Sequence, residues 1–185
     1  MPKKSPFAWK QRVASAVKAA RSQVSGAEQI DHYWHGRLVT LMLEAFGDEP
    51  DAYFFIETLS PRANIPRPDL VMLHPQIGVL VIENKGIDLP AIESVQGAEL
   101  TIRRDGVLSR EDPLRQAERV MFGIRDLCKG RVDVSRILFL RIAVLPAIHR
   151  KKIRRAFLQH STGGFFICRG VCDRRRPAGG HGSHC

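Results

Sequence analysis

One stretch constrains the fold of this chain more than any other. Two short apolar runs rich in β-branched residues, Asp69 to Leu73 and Ile77 to Glu83, are separated only by His74-Pro75-Gln76. Three residues are too few for a crossover helix, so the runs are predicted to pair as an antiparallel hairpin. Their nearly continuous hydrophobicity requires cover on both faces of the sheet. Pro68-Asp69 opens the first run, and Glu83-Asn84-Lys85-Gly86 closes the second. Antiparallel pairing brings Asp69 and Glu83 to the same sheet edge. The two-residue period puts Glu83 and Lys85 on one face and turns Asn84 away.

Those residue types in that arrangement point to phosphodiester chemistry. The spacing is Pro-Asp, thirteen residues, then Glu-x-Lys. Two carboxylates with a backbone carbonyl and water make an oxygen-rich site for a hard cation, Mg²⁺ or Mn²⁺. Such an ion lowers the pKa of water and neutralises charge, while Lys85 stabilises or positions the nucleophile. Taken singly, Asp69 after proline reads as a turn cap and Lys85 as an exposed strand end. Glu83, at the end of a five-residue apolar run, sits at the core boundary, where an idle charge is costly. Placement on two adjacent strands is what gives the pattern its specificity. The chain has no Walker A loop, GxGxxG or GxSxG, which leaves nucleotide-driven motor and serine-hydrolase readings without support.

The remaining segments supply support for the hairpin. Residues 7–24 lack acidic residues and interleave apolar with basic ones, predicting an amphipathic basic helix on the surface of the domain. After Ser25-Gly26 a helix is expected to run to about Phe46. Ile30, Trp34, Leu38, Leu41 and Phe46 form its buried stripe, and Glu28 lies in its first turn. A strand follows over 53–59, then a proline-stiffened loop. Residues 86–97 read as loop, and 99–108 as a hairpin around Asp105-Gly106. Pro113 and Gly130 bracket a helix. Ile137 to Leu145 is a buried strand, 149–159 a basic helix, and Phe165 to Cys168 a short strand. Past it the chain loses core-forming content, as a truncated or frame-shifted continuation would. The expected organisation is therefore a basic N-terminal helix (1–25), a domain (26–159) and an atypical tail (160–185). Asp31, His32 and His35 read as the polar face of a helix without a third spaced ligand. Cys168, Cys172, His181, His184 and Cys185 are zinc-ligand types that lack the tight pairs of a structural site.

Charge is unevenly placed. The net charge is +10, yet residues 26–149 carry 14 basic and 18 acidic residues. The excess lies in residues 1–25, with six basic and no acidic residues, and 150–176, with nine and one. The ends suit a polyanion, and Lys151, Lys152, Arg154 and Arg155 are the candidate DNA contacts. No apolar run approaches the roughly 18 residues of a membrane span. The N-terminus lacks the apolar core of a secretory signal. Three of the four cysteines lie at 168–185, away from the body of the chain, which fits a reducing cytoplasm. No membrane association is expected.

The chain resembles the nuclease-related (NERD) domain, a branch of the PD-(D/E)xK nuclease superfamily. Gly26-Ala27-Glu28, Pro68-Asp69, Gly78 through Gly86 and Asp112 through Ala117 carry the resemblance, which covers about residues 24–146. It implies a restriction-endonuclease-like α/β core, with a mixed, mainly antiparallel sheet flanked by helices and a site at one sheet edge. It implies Asp69 and Glu83 as metal ligands, Lys85 as the catalytic lysine, Glu28 completing the metal site and Gln116 touching site or substrate. Val120 stands where related branches have a tyrosine. The implied activity is metal-dependent hydrolysis of DNA in processing or repair, with a helicase or other DNA-processing protein as partner class. The competing expectation is a non-catalytic nucleic-acid-binding or interaction module on the same scaffold.

Overall fold

The two apolar runs pair as their spacing predicts. In the computed structural model, residues 6–58, 65–149 and 166–169 are described. Their elements are α1 (Pro6–Ala19), β1 (Gln23–Ser25), α2 (Tyr33–Phe46), β2 (Tyr53–Ile56), β3 (Leu70–His74), β4 (Gly78–Asn84), β5 (Ile92–Gln96), β6 (Glu99–Arg104), β7 (Val107–Glu111), α3 (Pro113–Cys128), β8 (Phe139–His149) and β9 (Phe166–Arg169). The register of β3 on β4 runs from Leu70 opposite Ile82 to His74 opposite Gly78. One step beyond the first pair, Asp69 comes opposite Glu83.

This hairpin forms the centre of a sheet ordered β1-β2-β3-β4-β8-β9, and β5-β6-β7 make a second, smaller sheet. Of the seven strand pairings in the two sheets, four are antiparallel and three, β1–β2, β4–β8 and β8–β9, are parallel. Helices cover both faces of the hairpin, as its unbroken hydrophobicity demands. Leu70, Met72, Leu80 and Ile82 pack with Leu38, Val39 and Leu43 of α2. Val71, Val79 and Val81 face the opposite way and pack with Ala117, Val120 and Met121 of α3. The architecture is thus α/β, a mixed sheet between helices, consistent with a restriction-endonuclease-like core. Val120 is fully buried and serves packing.

Helix α1 is built into this body. Val13 is buried in the same cluster as α2, with Trp9, Ala16 and Val17 against it. Gly36 permits the approach, since a Cβ there would overlap the Trp9 ring. Three expectations change. The helix expected from Ser25-Gly26 onward is split into a 3-10 turn, Ala27–Gln29, and α2 beginning at Tyr33. Residues 23–25 form an edge strand parallel to β2. The expected loop 86–97 contains β5, which pairs with β6. The basic helix expected at 149–159, with Lys151, Lys152, Arg154 and Arg155, lies outside the described residues. None of the described helices is long and apolar enough to cross a membrane.

Candidate functional site

The site is assembled by the ends of three strands. Asp69 precedes β3, Glu83 is the penultimate residue of β4, and Lys85 follows it. All three point to the α3 side of the sheet, by alternation from Val71 and Val81. Lys85 Nζ lies 2.9 Å from Glu83 Oε1 and 3.4 Å from Glu111 Oε2. It also donates to Gln116 Oε1 at 3.3 Å. Gln116 is half-buried on the first turn of α3, which Asp112 caps by accepting from the Arg115 backbone N–H at 2.8 Å. Asp69 is locked in turn: its Oδ2 accepts the backbone N–H of Asn84 at 2.6 Å. Asn84 is buried on the other face, and neither side-chain polar atom has a hydrogen-bond partner.

A second group adjoins the first. His35, near the start of α2, shares a 2.6 Å contact between Nδ1 and Glu57 Oε1, and its Nε2 lies 3.5 Å from Asp69 Oδ1. Asp31, His35 and Glu57 each offer a ligand atom within 4.8 Å of the others, so this trio can hold a metal ion. Glu57, directly after β2, is in a left-handed conformation, φ 44°, which is uncommon for a residue with a side chain. Its backbone N–H donates to Asp69 O at 3.0 Å. Its carbonyl accepts from Arg67 Nε, and its Oε2 lies 3.1 Å from Arg67 Nη2. These contacts hold the strained residue in place.

Burial first, and neighbouring charge second, set the protonation of the groups at the centre of the site. Burial, then the neighbouring Asp69, pushes the Glu83 carboxyl up to about 7, against the pull of Lys85. Burial also raises Asp69, opposed by the Asn84 N–H, His35 and Lys85. Burial works against the Lys85 ammonium, but Glu83, Glu111 and Asp69 outweigh it and hold the group above its ordinary range. Lys85 is therefore a stable cation, held among the carboxylates of Glu83, Glu111 and Asp69.

The residues singled out in the sequence fare differently. Asp69, Glu83, Lys85 and Gln116 come together. Glu28 does not join them: it is exposed on the 3-10 turn, and the metal-capable trio among the described residues, Asp31, His35 and Glu57, contains neither Glu28 nor Asp69 and Glu83. The reason is backbone geometry, because Gly26 at φ 85° turns the chain hard against the Ile56 carbonyl and the helix starts later. The neighbouring Gln29, also exposed, accepts from Arg67 Nη2 at 2.6 Å. His35 and Asp31, read as a polar helix face, gain the missing third ligand from Glu57. Glu57 had a legible signal, since it directly follows the apolar strand 53–56 as Glu83 follows its own apolar run. Glu111 had none. Comparison with models of protein families, with curated proteins and with solved structures returns no match of any of the three kinds, so the chemistry of this site rests on its own residues.

Proposed function

We propose that this chain is a metal-dependent nuclease that hydrolyses phosphodiester bonds of DNA. One observation carries the reading: a carboxylate pair, half-buried Asp69 and buried Glu83, shares one sheet edge and one face with a lysine held 2.9 Å from Glu83. The donor set fits a hard divalent ion, because two oxygen-donor carboxylates share one sheet edge, where a bound cation would offset their burial and mutual repulsion. Asp69 and Glu83 would hold Mg²⁺ or Mn²⁺, with the Asp31–His35–Glu57 trio beside them. When bound, the ion supplies Lewis acidity and lowers the pKa of water. The chain's own residues do the rest. Lys85 stays protonated, so it acts on charge: it stabilises a phosphoryl oxygen and orients the attacking water. Gln116 fixes the lysine's direction. Water forms the new P–O bond, the old one breaks, and the leaving oxygen takes up a proton. The free thiol of Cys128 accords with a reducing cytoplasm, where we place the protein.

The test is cleavage of labelled DNA with Mg²⁺ or Mn²⁺ by wild type, Asp69→Ala, Glu83→Ala and Lys85→Ala. The carboxylate variants should lose activity, and Lys85→Ala should fall about a hundredfold or more. Undiminished cutting by Glu83→Ala and Lys85→Ala refutes the assignment. Salt-dependent DNA retention without a divalent-dependent product returns the chain to the class of non-catalytic binding modules.

A further inference from the structure

Beside the carboxylates lies a cavity of about 690 Å³ that takes in Lys85 and Gln116 and extends over four arginines. Arg104 and Arg110 come from the β6–β7 hairpin, Arg115 and Arg119 from α3. All four are exposed. Two carboxylates, Glu111 and Asp112, share the lining with these five cations, and both have other duties. Asp112 caps α3, and Glu111 pairs with Lys85 and with Arg104 at 3.2 Å. Arg115 and Arg119 are one helical turn apart, a rise of about 6 Å, so successive turns present successive guanidinium groups along one wall.

We propose that this cavity is the track for the sugar–phosphate backbone of one polynucleotide strand, delivered along the arginines to Lys85. The proposal deepens the nuclease reading and rests on it for its purpose, though strand binding itself does not need cleavage. Three features select this ligand. Guanidinium groups favour phosphate, which they meet with paired donors. Among the described residues no aromatic side chain lines the cavity, so the grip is on the backbone and indifferent to sequence. A space of about 690 Å³ admits a short run of one backbone, whereas a duplex would meet it only from outside.

The experiment is fluorescence anisotropy in EDTA, across a potassium chloride series. The probes are labelled single-stranded DNA, single-stranded RNA, duplex DNA and polyglutamate of matched length. The proteins are wild type, Arg115→Gln/Arg119→Gln, Arg104→Gln/Arg110→Gln and, as a control, Lys129→Gln. Circular dichroism melts check that each variant stays folded. Each double variant should lose about tenfold in affinity for a single strand, and the slope of log K against log salt should shrink by about 1.4. The control should match wild type. Binding to DNA or RNA with those losses supports the track, and the tighter arm names the strand. Unchanged affinity and slope in both double variants overturns it. So does tighter binding of duplex or polyglutamate than of either strand, or a slope that collapses only when Lys151, Lys152, Arg154 and Arg155 are replaced. The two readings fail separately. Arginine-dependent binding with no cleavage by wild type discards the nuclease and keeps the track, whereas cleavage with binding unaffected by the arginines does the reverse.

Discussion

Glu83 is only 2% exposed, beside a second carboxylate, and its proton has consequences for stability. Its folded-state pKa of about 7 lies above the ordinary 4.5, so the folded protein holds a proton that the unfolded chain has released. Stability of the metal-free protein should fall as pH rises from about 4.5 to about 7 and level off above, a loss of the order of 3 kcal/mol. Asp69 shifts the same way and adds to it. Urea midpoints of wild type and Glu83→Gln across that range check the point: the variant's dependence should be much flatter. Asn84 offers an opposite test. Its buried amide has no partner, a cost of about 1–3 kcal/mol. Asn84→Val should therefore raise the melting temperature, while Asp69 keeps its hydrogen bond to the backbone at that position; a lower melting temperature would show that the amide is satisfied. Asp69, Glu83 and Lys85 were legible because hairpin pairing is local, whereas Gln116 was singled out only by the family resemblance. Glu57 showed only as the carboxylate after an apolar run, and the way His35, Glu57 and Glu111 meet was not legible, because it depends on long-range packing of α2, β2 and β7 that no local spacing encodes.

At the scale of elements, apolar patterning identified β3, β4, α3 and the β6–β7 hairpin, since period and turn chemistry agree there. It missed β1 and β5. Gln23–Ser25 is only three residues long, and exposed residues leave β5 without a clear alternation. The delayed start of α2 also follows from one position. Gly26 combines φ 85° with contact against the end of β2. Gly26→Ala should cost about 2–3 kcal/mol from backbone strain and the clash. It should also displace Glu57, one residue beyond Ile56. Chemical denaturation reads the first effect. The second should appear as weakened divalent-ion binding by isothermal titration in a protein that is still folded.

Across the whole molecule, charge and chemistry are separated. Residues 26–149, acidic overall, supply both the carboxylates and the arginines of the β6–β7 hairpin and α3 beside them, while the net positive charge lies toward the two ends of the sequence. A divalent ion that binds only the folded state stabilises it by mass action. At a hundredfold excess over Kd this is worth about 2.7 kcal/mol, or roughly 5–10 °C for a chain of this length. Mg²⁺ or Mn²⁺ should raise the melting temperature of wild type and leave that of Asp69→Ala/Glu83→Ala nearly unmoved. Equal shifts in both would place the ion elsewhere. The layered architecture was foreseeable, because strands apolar on both faces can exist only between two covering layers.

The pairing of Leu70 with Ile82 has a consequence for how such a chain tolerates change in length. Side chains alternate, so the hairpin counts in twos. Loss or gain of one residue within β3 or β4 would carry Asp69, or Glu83 with Lys85, through to the face covered by α2, and a carboxylate would replace an apolar side chain in the core. A change of two residues would restore the facing and shift only the reach along the strand. Viable variants of this hairpin should therefore differ in length by even numbers within its strands, with odd changes confined to the turn at 75–77.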